Sequence, residues 1–216
     1  MPVPVATRLV NSPLIGIIGL PRSNSASVVA AFRSIGKNAV IIGSEKELTS
    51  SIDAIVLPGV GRFGPAAQYL GKSNLGKRVR DLYSDGISIM GICLGMQLLG
   101  DSSEESPGAE GLGILSMVSS RLSSKKHGLV PNVGWHEVTF QSQLDPSGEK
   151  AAGWFYFSHS YHVSSLESLS VASIGQGPSE ISVAVQKPGA IGVQFHPERS
   201  GKPGLQFLKN FAEGLV

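Results

Sequence analysis

The chemistry of this chain gathers around its single cysteine. Residues 87–99 read ISIMGICLGMQLL: an apolar run reaches Gly91 and Ile92, Cys93 follows, and Leu94-Gly95-Met96-Gln97-Leu98-Leu99 opens a helix. A nucleophile at a strand-to-helix turn stands clear of both elements and at the positive end of the helix. That position favours the thiolate, the reactive form; an ordinary thiol, with a pKa of about 8.5, is only a few per cent ionised at neutral pH. Gly91 and Gly95 leave room for the turn and for a substrate beside the backbone. The competing reading makes Cys93 a small buried hydrophobe, the commoner fate of a lone cysteine.

A cysteine nucleophile needs a base, and then a proton donor for its leaving group. His127, His136, His159, His162 and His196 compete for the role. Residues 190–198 read AIGVQFHPE, a strand ending on His196 with Glu198 two positions later. Pro197 stiffens the link, so the carboxylate can turn back and hold the imidazole. Cys93, His196 and Glu198 then make a nucleophile, base and orienter. Without Glu198, His196 would read as a surface histidine ending a strand. A developing oxyanion also needs donors, and PGVGRFG at 58–64 has glycines that let backbone N–H groups turn inward. Alone, that segment reads as an ordinary glycine-rich turn. It lacks the lysine and hydroxyl of a P-loop, which disfavours nucleotide binding.

The elements needed to position these residues are legible as short apolar runs. Leu14–Gly19, Ala39–Ile42, Ala54–Leu57 and Ile87–Ile92 read as buried strands, and Ser25–Ile35 and Leu75–Tyr83 as amphipathic helices, the first capped by Asn24 or Ser25. The alternation predicts an α/β, doubly wound, largely parallel sheet. In the C-terminal half, Trp135–Phe140, Trp154–Phe157, Val171–Ile174, Ser182–Val185 and Ala190–Phe195 predict a mixed or antiparallel extension, closed by a helix over Gly204–Phe211. With no linker-like stretch, residues 14–216 read as a single domain preceded by an extension at 1–13.

Composition narrows the function classes. In 216 residues, 18 Lys and Arg against 16 Asp and Glu give a net charge of +2, too even for a nucleic-acid or membrane-surface binder. One cysteine excludes an intramolecular disulfide and any multi-cysteine metal site. No apolar run is long enough for a bilayer, and the opening residues make a poor signal peptide. A reducing, cytoplasmic location is expected.

Together PGVGRFG, GICLGMQ and FHPE resemble the class I, triad-type glutamine amidotransferases. PNVGWHEV at 131–138 and FYFSHSY at 155–161 narrow the resemblance to the glutaminase subunits of imidazole glycerol phosphate synthase, from histidine biosynthesis. The resemblance spans roughly Leu14 to the C-terminus. It implies that Cys93 attacks the side-chain amide of glutamine, with His196 and Glu198 completing the triad. It further implies that Gly61, Gln97 and Ser158-His159-Ser160-Tyr161 grip the substrate, and that the N–H groups of Val60, Gly61 and Leu94 form the oxyanion hole. No cofactor and no metal are implied. The implied partner is a (β/α)8-barrel cyclase, bound as a heterodimer and fed with channelled ammonia; Asn24, Trp135, Tyr156 and Arg199 match the partner face. Plain core packing competes for Trp135 and Tyr156. The implied products of the pair are imidazole glycerol phosphate and the aminoimidazole carboxamide ribonucleotide.

The chain departs from that pattern in places. Gly19-Leu20-Pro21-Arg22-Ser23 replaces the family's Asp-Tyr-Gly-x-Gly ahead of Asn24. Asn132 and His136 stand where the family has His and Asn. Rival readings are a glutaminase for another synthase, such as one making amino sugars, a cysteine hydrolase of other specificity, and a non-catalytic subunit. Gln97 and the Ser158–Tyr161 segment argue against the second, and the complete triad against the third.

Overall fold

The computed structural model describes residues 13–140, 152–165, 169–175 and 180–214, so all of the expected 1–13 extension but Pro13 lies outside the described residues. The first half alternates as its apolar runs predict. Strand β1 (Leu14–Ile18), helix α1 (Ser25–Ser34), β2 (Asn38–Ile42), β3 (Ala54–Leu57), α2 (Phe63–Lys72), α3 (Leu75–Ser84), β4 (Ser88–Ile92) and α4 (Leu94–Leu99) follow in order. After them come β5 (Ser102–Ser103), β6 (Met117–Arg121), α5 (Ser124–His127), β7 (Asn132–Phe140), β8 (Ala152–His159), β9 (Tyr161–Ser165), β10 (Ser170–Ile174), β11 (Ile181–Lys187), β12 (Ala190–Val193) and α6 (Gly201–Ala212).

Nine strands form one sheet in the order β2-β1-β3-β4-β12-β11-β10-β7-β8. From β2 to β12 every pairing is parallel. From β12 to β8 every pairing is antiparallel. The parallel strands β1, β3, β4 and β12 are almost wholly apolar because both faces are covered. Ile15, Ile17, Val56 and Ile92 point to one side, into a core with Val28 and Phe32 of α1 and Phe207, Leu208 and Phe211 of α6. Ile18, Ile55, Leu57 and Ile89 point to the other, against Leu70, Val79, Leu82 and Leu98 of α2, α3 and α4. Two helical layers on a mostly parallel sheet make the doubly wound fold, with the antiparallel extension in the C-terminal half.

Three features depart from the sequence reading. A second sheet, β5-β6-β9, is built from serine-rich strands that carry little hydrophobic pattern. Helix α2 begins at Phe63, inside the PGVGRFG segment that reads as a glycine-rich turn; Pro65 is tolerated because it falls in the first helical turn. Strand β12 also stops at Val193, short of the expected Phe195. Past it, His196 N–H leaves the ladder to donate to the Tyr156 carbonyl at 2.9 Å.

Candidate active site

Strand β4 lies between β3 and β12, with Gly91 opposite both Leu57 and Gly192. Three loops therefore leave the same edge of the sheet: 58–62 after β3, Cys93 after β4, and 194–198 after β12. Ligands of open parallel sheets bind at such an edge. Cys93 turns there with φ +53° and ψ −107°, a conformation that side chains rarely adopt, so it is held by its surroundings. Its N–H donates to the Val193 carbonyl at 2.7 Å. Gly95 packs so closely on β3 that an added Cβ would lie 1.7 Å from the Leu57 carbonyl oxygen. Helix α4 has only six residues, so the help it gives the sulfur is modest and the imidazole matters more.

A 3-10 turn at Pro197–Arg199 folds Glu198 back onto His196. Glu198 Oε1 accepts from His196 Nδ1 at 2.8 Å, which leaves Nε2 for Cys93. Burial alone would lower the basicity of this imidazole. The hydrogen bonds to Cys93 and Glu198, with their charges, outweigh burial and push its pKa up to about 10. His196 therefore holds its proton at neutral pH and faces the sulfur as an imidazolium. Asn24 precedes α1 but makes no side-chain cap there. Instead its Nδ2 donates to the same Glu198 Oε1 at 2.7 Å, so that oxygen accepts two bonds. Ser200 ties the turn down, its Oγ donating to the His196 carbonyl at 2.6 Å and accepting the Tyr156 N–H at 3.0 Å.

The sulfur opens on a cavity of about 310 Å³ lined by Val60, Gly61, Cys93, Leu94, Gln97, Ser158, His159, Ser160, Tyr161 and His196, with Glu105, Pro131 and Arg199 at its wall. The expected triad, pocket and oxyanion-hole residues are thus brought together. The Leu94 N–H is engaged by the Gly59 carbonyl at 3.4 Å, a long bond, and Gly61 has φ +111°. Glu105 was not singled out in the sequence. Its Oε2 accepts the Phe63 N–H at 2.6 Å and anchors the loop before α2.

Two hydrogen-bonded chains meet at the Tyr161 carbonyl. His159 Nδ1 reaches it at 2.8 Å, and because a carbonyl only accepts, the ring proton sits on Nδ1. Its Nε2 then accepts from Asn132 Nδ2 at 2.9 Å, and Asn132 Oδ1 accepts from His136 Nε2 at 2.7 Å. Desolvation by burial, and secondarily the neighbouring histidines, outweigh the Tyr161 bond and bring the His159 pKa down to about 4. The ring is a neutral strut. On the other side Gln97 Nε2 donates to Tyr161 O at 3.3 Å and to Gln194 Oε1 at 3.1 Å. Gln194 is not among the expected site residues; its signal in the sequence is a polar residue inside the apolar run AIGVQF.

Of the residues expected on a partner face, Trp135 is half exposed, and Tyr156 lies opposite it across the β7–β8 pairing. The Arg199 guanidinium sits 4.3 Å from the Tyr156 ring centre. Val133 and Trp154 add to the exposed apolar area of this hairpin. Asn24, by contrast, has its amide on the Glu198 carboxylate. Among the described residues, no His, Cys, Asp or Glu cluster is placed to hold a metal, and no helix is long and apolar enough to cross a membrane.

Comparison with known proteins agrees with this geometry. The family model for glutamine amidotransferase class-I matches residues 18–215. The imidazole glycerol phosphate synthase subunit HisH of Acaryochloris marina is 35% identical over 204 residues, 93% of this chain and 94% of the relative. That of Bacillus subtilis is 34% identical, covering 93% and 96%. Among solved structures, a glutamine amidotransferase superposes with a TM-score of 0.73 at 17% identity, over 93% of this chain and 98% of that one. PurLQS from Thermotoga maritima gives 0.75 at 18%, over 95% and 100%. At that identity the solved structures speak for the fold. The family model and the HisH relatives place the chain in the class I glutamine amidotransferase family.

Proposed function

We propose that this chain is the glutaminase subunit of an imidazole glycerol phosphate synthase, hydrolysing L-glutamine to glutamate and ammonia in histidine biosynthesis. The carrying observation is the buried Cys93, His196 and Glu198 constellation opening onto a cavity lined by Gln97 and Ser158–Tyr161. Cys93 Sγ attacks the carboxamide carbon of glutamine. As the tetrahedral intermediate collapses, the C–N bond breaks and His196 gives its proton to the departing nitrogen, releasing ammonia. Water then attacks the glutamyl thioester, His196 takes its proton, the C–S bond breaks, and glutamate leaves. Glu198, held by Asn24, keeps the imidazole oriented throughout.

The oxyanion needs the N–H groups of Leu94 and of Val60 or Gly61. In this structure the Gly59 carbonyl occupies the Leu94 donor, so the loop has to turn before the hole can receive substrate. That contact supports weak hydrolysis by the chain alone and faster hydrolysis with its partner, for which we take the (β/α)8-barrel cyclase. The exposed hairpin with Val133, Trp135 and Trp154, continuous with Tyr156 and Arg199 at the pocket mouth, suits the docking of such a partner. A protected path matters because ammonia in water at neutral pH is mostly protonated and no longer nucleophilic.

The test is glutamate release by the purified chain, with and without a histidine-pathway cyclase loaded with its ribonucleotide. Slow release that accelerates with the loaded partner is expected, and none from Cys93→Ala, whose fold and partner binding persist. Turnover by that variant would remove the nucleophile. Equal turnover with and without partner would remove the coupling.

A further inference from the structure

Gln194 is fully buried behind the nucleophile, in an otherwise apolar strand end. A buried amide is costly unless both its ends are bonded, and both are. One end lies 3.4 Å from Cys93 Sγ, the other 3.1 Å from Gln97 Nε2. An amide can sit either way round by shape alone, so its polarity has to come from its neighbours. The Tyr161 carbonyl supplies it. Because that oxygen only accepts, Gln97 must present its NH2 there, and the same NH2 meets Gln194. Gln194 therefore presents its oxygen to Gln97 and its NH2 to the sulfur. The reverse arrangement would set the Gln97 side-chain oxygen against the Tyr161 carbonyl.

Resting on Cys93 as the nucleophile, we propose that Gln194 is a catalytic residue that donates an N–H hydrogen bond to the Cys93 thiolate. Its contribution differs from that of His196. The imidazole gives its proton to the leaving nitrogen and takes one from water, so its charge changes during turnover. The amide has no proton to lose. It is aimed at the sulfur in the resting enzyme and again when the C–S bond of the thioester breaks and negative charge returns to that atom.

Cys93 is the sole cysteine, so alkylation of the full chain by iodoacetamide reports on it alone. The pH profile of the alkylation rate is measured without glutamine for the parent, Gln194→Met and Gln194→Leu. The methionine keeps length and volume but donates nothing. The leucine, uncharged and equally unable to donate, preserves the test where the methionine variant fails to fold. Both variants are expected to move the profile up by about one pH unit, a tenfold change in thiolate fraction on the acid side of the midpoint. The kcat for glutamate release near pH 7 should fall about tenfold as well. An unmoved profile overturns the proposal, and a raised KM with an unmoved profile reduces Gln194 to a support for Gln97. Because alkylation needs no turnover, a parent chain that releases no glutamate even with its loaded partner would refute the glutaminase reading while the profiles still judge Gln194.

Discussion

Lowering the pH from 7 to 4.5 offers a proton to His159 that the unfolded chain takes and the folded chain refuses. In the fold its pKa is about 4, because the ring is buried and its two nitrogens are committed to Tyr161 and Asn132. In the unfolded chain an ordinary histidine titrates near 6.5. The unfolded state thus binds more protons between these values, and stability falls as the pH falls through that window. Integrating over the two pKa values gives a loss of about 2.5 kcal/mol at pH 4.5, and almost none at pH 7. Urea unfolding followed by far-UV circular dichroism at both pH values measures it, with His159→Gln as the control. Glutamine can donate to Tyr161 and accept from Asn132 without titrating. Carboxylates and the other histidines contribute alike to both proteins and cancel in the difference. The parent should lose about 2.5 kcal/mol more than the variant on acidification. Equal losses would refute the neutral strut and with it the hydrogen-bond directions assigned from Tyr161.

Other variants probe the same edge of the sheet. Asn24→Ala removes a hydrogen bond from a buried carboxylate and should lower kcat about tenfold with little change in KM; an unchanged kcat in steady-state assays would make that amide dispensable. Gly95→Ala drives a methyl into the Leu57 carbonyl, and thermal melts should show a loss of more than about 3 kcal/mol, or no soluble protein. A melt close to the parent's would mean that α4 can back away from β3.

The sequence was most informative where chemistry and structure are local. Ala54–Leu57 is a strand with the expected bounds, because an unbroken apolar run covered on both faces has little other choice. The motifs around Cys93 and His196 were legible for the same reason: a turn, its glycines and its flanking strand are contiguous. Strands β6 and β9 were not, since their serine-rich faces look like loop composition and only pairing within the second sheet makes them strands. Contacts between distant positions were invisible. Asn24 read as a helix cap or a partner contact, yet its amide reaches Glu198, 174 positions away. Gln194 and Gln97 are 97 positions apart and both answer to a backbone carbonyl that no side-chain pattern reveals.

The pairing of β4 with β12 also sets when the protein becomes competent. Cys93 and His196 leave adjacent strands, yet 196 − 93 = 103 positions separate them along the chain. At ribosomal rates the sulfur waits roughly 5 to 20 s for its imidazole to be synthesised. A product truncated ahead of β12 would carry Cys93 without His196. Hydrolytic competence is therefore a late event in biogenesis, arriving only when the central strand of the sheet slots in beside β4.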